Sequence, residues 1–427
     1  MFPRHRLDIG FRDLAFGLRA TVLAHDPEQQ AAAALAAAGL TDRGLVTLSV
    51  RSAWDLVLAA LAWAEGSEVI VSAITHPDMI TIIRAHGLVA VPVDVDLATL
   101  APAVADLEQA RTERTRAVVV VHLLGGRLDL DPIAEFTAGH GLLLIEDSAQ
   151  TFTGVESLAP TAAEVSMVSF GMIKTASAVG GAVVAVRSPE LRATMREIQA
   201  GWPIQRRRAY AGKLLRMAVL TIFNDPRRFA VLHGLLTRLG VDLDSTINTS
   251  TRSFAHGDAL WAKIRRRPSG GLLALLTRRL TTFDPARVAA RALAGDALAA
   301  RLPAAYRHPG DGLLRRTHWL FPVWAPDPEV AVAELRRRGI DVSTGTSNLV
   351  AVAAEDGSVP EQAGALMASI VYLPSYPQLG AAGLDRMIAG LRAAAGPGPR
   401  LDSRARPDLA RPAAPARTDR PETVPQG

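Results

Sequence analysis

The chain has 427 residues, of which 49% are hydrophobic and 21% are charged, enough for two or three domains with sizeable cores. It contains no cysteine, which excludes disulfides, thiolate metal sites and a cysteine nucleophile, and we expect no bound metal. The net charge is only +5 and no nucleic-acid-binding motif is present, so we expect no nucleic-acid partner. The opening residues include Arg4, Arg6 and Asp8 rather than an uninterrupted apolar segment, so we expect no signal peptide and a cytoplasmic protein.

The first half of the chain alternates short apolar runs with helix-like stretches. The runs are continuous, which is typical of strands that are buried on both faces. We predict strands at Glu68–Ala73, Leu88–Pro92, Ala117–His122, Leu142–Asp147, Val165–Phe170 and Ala182–Arg187, and helices between them that include Ala53–Ala64 and Pro132–Gly139. The pattern indicates an α/β fold, with a mostly parallel central sheet covered by helices, in a large domain at residues 1–285.

Residues 286–395 have a different pattern and predict a smaller C-terminal α+β domain. His318–Trp324 is a predicted strand, and Asp327-Pro328 begins a predicted helix that ends before Gly339. A last helix is predicted at Gly383–Ala395. The tail at 396–427 alternates proline, arginine and aspartate with few large apolar residues, so we predict that it is disordered.

Residues 196–262 form a predicted insertion in the large domain. Its apolar stretches at Leu214–Phe223 and Phe229–Leu236 are flanked by basic side chains and are too short to span a bilayer. Such basic amphipathic stripes more often pack against the rest of the protein or a second subunit. The alternative is contact of residues 210–238 with a membrane surface or lipid.

Lys174 is one of only three lysines, so 44 of the 47 basic side chains are arginines. A guanidinium stays protonated and cannot attack a carbonyl, whereas a desolvated lysine amine can form a Schiff base. Lys174 lies between a predicted buried strand and the pair Gly180-Gly181, which favours a catalytic amine. The alternative is a lysine that simply remains on the surface of an arginine-rich protein.

Asp147 ends a predicted central strand, where open α/β sheets bind their ligands. The 27 residues between it and Lys174 allow one excursion and one further strand, which brings the amine to the same edge. A lysine and a carboxylate at neighbouring strand ends suit pyridoxal phosphate, because the lysine holds the aldehyde and the acid keeps the ring nitrogen protonated. The alternatives for Asp147 are a plain salt bridge or a helix cap.

Three motifs in order make the chain resemble the DegT/DnrJ/StrS family of pyridoxal-phosphate sugar aminotransferases. They are Ile145-Glu-Asp-Ser-Ala-Gln150, Ser169-Phe-Gly-Met-Ile-Lys174 and Gly180-Gly-Ala-Val-Val184. The resemblance covers residues 40–190 well and 285–392 loosely. It implies a fold-type-I transferase, a homodimer, and transfer of an amino group from glutamate or glutamine to a keto-sugar or a nucleotide-linked keto-sugar. Rival hypotheses are another pyridoxal-phosphate reaction, a cyclitol or lipid-linked ketone as acceptor, and a non-catalytic scaffold.

The resemblance also implies roles for individual residues. Lys174 would be the Schiff-base lysine and proton shuttle, Asp147 the partner of the ring nitrogen, and Gln150 a donor to the ring hydroxyl. The cofactor phosphate would be bound by Ser169 and by Ser52 and Ala53 at the start of a helix, where backbone N–H groups and the helix dipole favour an anion.

Two further site residues are implied with open alternatives. His76 stands where the family places an aromatic ring over the cofactor, although it can equally be a loop residue. Arg267 matches an arginine that approaches the partner subunit's cofactor, although it can equally belong to a solvated basic run. Arg51, in place of a glycine, and Thr175, in place of an asparagine, depart from the family pattern.

Overall fold

The computed structural model describes residues 1–238, 258–313, 315–344 and 349–395. In these ranges the helices are α1 (Phe11–Val22), α2 (Pro27–Ala37), α3 (Val50–Leu61), α4 (Pro77–Ala85), α5 (Val104–Ala110), α6 (Asp131–Gly139), α7 (Pro189–Ala200), α8 (Arg207–Ile222), α9 (Pro226–Arg238), α10 (Asp258–Ile264), α11 (Gly270–Thr281), α12 (Ala286–Ala299), α13 (Pro328–Arg337), α14 (Glu361–Ser369) and α15 (Gly380–Ala394). The strands are β1 (Gly44–Thr47), β2 (Glu68–Ser72), β3 (Ile74–Thr75), β4 (Val89–Val93), β5 (Thr115–Val121), β6 (Gly126–Arg127), β7 (Leu143–Asp147), β8 (Val165–Ser169), β9 (Ala182–Val186), β10 (Arg315–Arg316), β11 (Phe321–Trp324), β12 (Val350–Ala351) and β13 (Ile370–Leu373).

A seven-stranded sheet in the order β1-β9-β8-β7-β5-β2-β4 forms the centre of the fold. Neighbouring strands pair in parallel, except that β9 runs antiparallel to both β1 and β8. The predicted mostly parallel sheet is therefore confirmed, and the six predicted strands are found within two residues of their predicted ends. The sequence did not reveal β1, because a four-residue edge strand has too short an apolar run to stand out.

Both faces of the sheet are covered by helices, which explains the continuous apolar runs. In β9, Val184 and Val186 belong to the core that includes residues of α3 and α4. Val183 and Ala185, which alternate with them, belong to the core that includes residues of α2 and α11. A polar side chain at any of these positions would be buried, so apolar and polar residues do not alternate along the strand.

Helix α3 begins three residues earlier than predicted, at Val50 rather than Ala53. The side chain of Ser49 caps it by accepting a hydrogen bond from the N–H of Ser52 at 3.2 Å. Both serines are good capping residues, so the sequence alone does not tell which of them precedes the helix.

The C-terminal part of the described chain has its own apolar core. There β11 pairs antiparallel with β13, and α13 and α15 contribute buried side chains such as Leu335 and Met387. Asp327 caps α13 as predicted, by accepting a hydrogen bond from the N–H of Val330 at 3.0 Å. The strand begins at Phe321 rather than His318. The boundary at residue 285 remains a prediction, since contacts group Met1–Gly396 into one compact unit. The predicted tail lies outside the described residues.

Helix α8, in the predicted insertion, packs with one face against the rest of the chain. Tyr210, Leu214 and Met217 are buried, whereas Leu215 and Val219 are exposed. Residues 239–257 of the insertion lie outside the described residues. Across the described ranges, no helix has both the length and the hydropathy required to cross a membrane.

Glu146, next to Asp147 on β7, is a fully buried carboxylate held by three side chains. His122 Nε2 lies 2.7 Å from its Oε1, and the hydroxyls of Ser148 and Thr161 donate to it at 2.8 and 2.7 Å. Burial alone would raise the pKa of Glu146, but these contacts lower it to about 2.

Glu146→Gln is expected to destabilise the protein by about 3 kcal/mol at pH 7, since a pKa unit is worth about 1.4 kcal/mol. The pKa in the folded state lies below the ordinary value of 4.5, so the contribution is complete above that pH and is lost as pH falls toward 2. Urea unfolding should therefore show a smaller difference from the wild type at pH 3 than at pH 7. Glu135→Gln on the exposed face of α6 is the control. A difference that does not change with pH would contradict this role.

Candidate active site

Three parallel strands of the sheet end at one edge beside polar side chains. β7 ends at Asp147 and β8 at Ser169, and β1 ends at Thr47, two residues before Ser49 caps α3. Thr47 and Ser169 pair with the same residue, Ala182, on opposite sides of β9. Because adjacent strands lie about 4.8 Å apart, the backbones of Thr47 and Ser169 are about 10 Å apart at this edge. The start of α3 therefore lies at the same edge of the sheet as Asp147 and Ser169.

Lys174 lies in a closed loop of residues 170–181, here called the lysine loop. The carbonyl of Phe170 accepts a hydrogen bond from the N–H of Gly180 at 3.1 Å, and the N–H of Phe170 donates to Gly181 at 3.0 Å. Gly180 and Gly181 have φ angles of +154° and +87°, which glycine adopts without strain. The glycine pair therefore closes the loop that holds the lysine at the sheet edge.

Side chains from four distant segments hold the lysine loop in place. The hydrogen bonds run from Ala176 N–H to Asp8 Oδ2 at 2.8 Å, from Tyr210 O–H to the Ala178 carbonyl at 2.8 Å, from Trp319 Nε1 to the Ile173 carbonyl at 3.2 Å, and from Arg291 Nη1 to Thr175 Oγ1 at 3.3 Å. The backbone on both sides of Lys174 is thus fixed by tertiary contacts, as a reactive group requires.

The amine of Lys174 lies in a crowded environment, although part of the side chain remains accessible. Its Nζ is 4.1 Å from the centre of the Trp319 ring. Burial lowers the pKa of Lys174 to about 8, with the charge of Asp147 raising it and that of Arg51 lowering it. Roughly a tenth of the amine is therefore neutral at pH 7, which makes it a usable nucleophile.

The lowered pKa of Lys174 predicts how the cofactor-free protein reacts with an amine-selective acylating reagent. Labelling of Lys174 should be half-maximal near pH 8, well below the roughly 10.4 of an ordinary lysine. Peptide mapping after brief labelling between pH 6 and 10 measures this midpoint. A labelling rate that still rises steeply between pH 9 and 10 would contradict the lowered value.

Asp147 and Lys174 lie close enough that the charge of each contributes to the pKa of the other. Burial raises the pKa of Asp147, and the N–H of Ala149 and the charge of Lys174 oppose this. Oδ1 accepts the hydrogen bond from Ala149 at 3.0 Å. In the described ranges nothing donates a hydrogen bond to Oδ2. The carboxylate can therefore accept one from a ligand.

Ser52 and Gln150 are buried at the same edge of the sheet. Ser52 Oγ lies 3.0 Å from Ser49 Oγ, whereas the N–H of Ala53 already donates to the carbonyl of Ser49 at 3.0 Å. The N–H of Ala53 is therefore already used within the helix. The N–H groups that lack an acceptor within the helix are those of the residues before Ala53. Gln150 Oε1 accepts a hydrogen bond from the N–H of Leu124 at 2.7 Å, so its NH₂ group is the end that remains for a ligand.

His76 caps α4, since its Nδ1 accepts a hydrogen bond from the N–H of Asp78 at 3.2 Å. Burial lowers its pKa to about 4, opposed by Asp78 and assisted by Arg51 and Lys174. The imidazole is therefore neutral at pH 7 and lies near the lysine. Capping uses one ring nitrogen, and stacking of the ring on a cofactor stays a prediction.

Arg267 is not part of this cluster within the single chain. Its Nη1 pairs with Glu28 of α2, and its backbone bonds to Pro203 and Gln205. In the described ranges it makes no contact with Lys174. Its approach to a partner subunit's cofactor also stays a prediction.

Sequence reasoning missed two side chains of the site. Trp319 covers the Lys174 amine, but no motif marks it among the six tryptophans. Arg51 was noticed only as a departure from a family pattern. Its Nη1 pairs with Asp78 Oδ2 at 2.8 Å, and its charge lowers the pKa of both Lys174 and His76.

The chain is similar in sequence to a family of aminotransferases. Residues 25–218 match the model of the DegT/DnrJ/EryC1/StrS aminotransferase family. A stretch of 100 residues is 38% identical to GDP-perosamine synthase of Escherichia coli O157:H7, and covers 23% of this chain and 28% of that protein. The match therefore spans under a third of this relative.

Solved structures share the fold over nearly the whole chain. The aminotransferase TlmJ from Streptoalloteichus hindustanus superposes with a TM-score of 0.65 at 19% identity, covering 92% of this chain and 98% of that one. The E. coli GDP-4-keto-6-deoxy-D-mannose-3-dehydratase with bound hydrated PLP gives a TM-score of 0.65 at 16% identity, with 92% and 99% covered. These likenesses confirm the predicted fold class.

Proposed function

We propose that this chain, whose residues 25–218 match the model of the DegT/DnrJ/EryC1/StrS aminotransferase family, is a pyridoxal-phosphate aminotransferase. Its amino donor would be glutamate or glutamine, and its acceptor a keto-sugar or nucleotide-linked keto-sugar. The observation that carries the proposal is the pair of Lys174 and Asp147, which influence each other's pKa at the carboxyl edge of the sheet. The name of the E. coli relative supports a nucleotide-linked acceptor.

The side chains at this edge fit pyridoxal phosphate. The hydroxyls of Ser52 and Ser169 and the start of α3 would bind its phosphate. Asp147 would accept a hydrogen bond from the ring nitrogen, Gln150 would donate to the ring hydroxyl, and Lys174 would hold the aldehyde carbon. When bound, the cofactor supplies an electron sink for the carbon that loses a proton.

Lys174 would move the proton in this reaction. With a pKa near 8, its Nζ can accept the proton from the donor's α-carbon and release it again without a large cost at pH 7. The indole of Trp319 shields one side of the amine and limits the access of water. Burial raises the pKa of Asp147, and the N–H of Ala149 and the charge of Lys174 oppose this effect.

The experiment is a half-reaction followed by a tracer. Glutamate added to the pyridoxal-phosphate-loaded protein should convert the cofactor's aldehyde absorption to that of the amine form. Adding a panel of nucleotide-linked keto-sugars with ¹⁵N-glutamate should then place ¹⁵N in the sugar. No conversion with any amino donor would defeat the proposal. Loss of a sugar hydroxyl without ¹⁵N incorporation would favour a dehydratase, the activity named for one neighbour of the same fold.

We also propose that the working form is a homodimer. Exposed apolar side chains on α8 and α9 support this, since Leu215 and Leu235 keep 56% and 54% of their surface accessible. Sedimentation should show a dimer that Leu215→Glu weakens. A monomer that floats with anionic vesicles would favour the lipid contact of residues 210–238 instead.

A further inference from the structure

A pocket beside the lysine loop contains three buried polar atoms that have no hydrogen-bond partner in the described part of the chain. These atoms are His5 Nε2, Arg291 Nη2 and Ser375 Oγ. The pocket has a volume of about 60 Å³, and its lining also includes Thr175 and Trp319. Buried polar groups in proteins are nearly always hydrogen-bonded, so three unsatisfied atoms in one pocket indicate a ligand.

Arg291 is the main charge in this pocket. Its Nε donates to the carbonyl of Thr317 at 2.8 Å and its Nη1 to Thr175 at 3.3 Å. Burial and the charge of Arg287 lower its pKa to about 10, and no carboxylate in the described ranges opposes them. The guanidinium therefore remains charged at pH 7 without a counter-ion. A buried charge in this state is unfavourable, and an anion in the pocket would remove the cost.

Of the other charged side chains that line the pocket, Asp8 and Arg4 are already neutralised in pairs, whereas Arg6 is exposed and lies over the Tyr376 ring. Asp8 binds both Arg279 and Arg287, and Arg4 forms a bidentate pair with Asp341. Asp8 therefore does not serve as the counter-ion of Arg291. The net charge that faces the pocket is positive.

All three unsatisfied groups can donate a hydrogen bond to an oxygen of a carboxylate. A guanidinium N–H and a serine O–H are donors, and so is a neutral imidazole N–H. Burial, with the charges of Arg4 and Lys174, lowers the pKa of His5 to about 3, so its ring is neutral at pH 7. A volume of about 60 Å³ accommodates a carboxylate but not a nucleotide.

The position of the pocket connects it to the reactive amine. Trp319 lines the pocket, and Nζ of Lys174 lies 4.1 Å from the centre of its ring. Thr175, the residue after the lysine, also lines it and is bound to Arg291. A molecule anchored in the pocket would therefore lie against the side chain that contacts the amine.

We propose that Arg291, Ser375 and His5 form a subsite that binds a carboxylate group of the amino donor. This inference rests on the proposed function and adds to it the residues that recognise the donor. It also identifies one arginine among 44 as the donor clamp.

The test is calorimetric binding of glutarate, a dicarboxylate without an amine, to the pyridoxal-phosphate-loaded protein. Arg291→Gln should weaken binding by about tenfold or more, because it removes a charged hydrogen bond, and Ser375→Ala by about threefold. Arg301→Gln, which removes an exposed pair with Asp385 just after α12, is the matched control and should change nothing. Glutaramide, the neutral analogue, should bind much more weakly to the wild type.

Unchanged glutarate affinity in a folded Arg291→Gln or Ser375→Ala protein would overturn the subsite. So would equal binding of glutaramide and glutarate to the wild type, a result that does not depend on any variant folding. Variants that lose affinity for inorganic phosphate but not for glutarate would also overturn it.

Failure of the subsite and of the proposed function are distinguishable. If glutamate converts the cofactor at the same KM in Arg291→Gln and in the wild type, the subsite is wrong and the aminotransferase stands. If glutarate binding depends on Arg291 but no amino donor converts the cofactor, the carboxylate site stands and the aminotransferase is wrong.

Discussion

Lys174→Ala is expected to lower the rate of amino transfer from glutamate by at least about a thousandfold. The substitution removes the nucleophile that would hold the cofactor and the base that would move the proton. Lys174→Arg should lose as much, since it keeps the positive charge but its guanidinium cannot give up a proton. Stopped-flow measurement of the glutamate half-reaction gives the rate.

The chain supplies its own control for this experiment. Lys263 is exposed on α10, and Lys263→Ala removes another of the three lysines away from the site. It should leave the rate within about twofold. A Lys174→Ala protein that retains more than about a tenth of the wild-type rate would show that another group moves the proton.

Asp147→Asn is expected to slow the same half-reaction by about 100-fold to 1000-fold. The amide has nearly the same shape but lacks the negative charge that supports a protonated ring nitrogen. The charge of Asp147 raises the pKa of Lys174, so its removal should also move the labelling midpoint of the lysine below pH 8. The two readouts are independent, because the second needs no cofactor.

Asp106→Asn, on the exposed face of α5, is the matched control and should alter neither readout. A rate within twofold of the wild type would separate Asp147 from catalysis. A labelling midpoint that stays at pH 8 or moves upward would show that the carboxylate and the amine do not share one space.

The strands of the sheet were predictable because burial on both faces requires apolar residues at nearly every position of the strand. Each of β2, β4, β5, β7, β8 and β9 is a short continuous apolar run, and such a run needs no partner to be recognised. The order of Asp147, Lys174 and the glycine pair was likewise readable, since Asp147 ends β7 and the lysine and the glycine pair lie between β8 and β9. Residues that start or end an element were less certain, as the choice between Ser49 and Ser52 at α3 shows.

The pocket beside the lysine loop could not have been predicted from the sequence. His5, Arg291 and Ser375 come from three segments with no local pattern in common, and only tertiary packing brings them together. What distinguishes Arg291 is the combination of a buried Nη2 without a hydrogen-bond partner and no carboxylate beside the guanidinium in the described part of the chain. That property depends on which side chains surround it in space. Trp319 could not be predicted as a site residue for the same reason.

The attachment of the cofactor to Lys174 is tested most directly by borohydride reduction of the pyridoxal-phosphate-loaded protein, followed by proteolysis and mass spectrometry. Reduction converts the bond between the lysine amine and the cofactor to a stable one, and with only three lysines the assignment is unambiguous. The predicted result is one cofactor mass per chain on the peptide that contains Lys174. Label on Lys213 or Lys263, or no label at all, would contradict it.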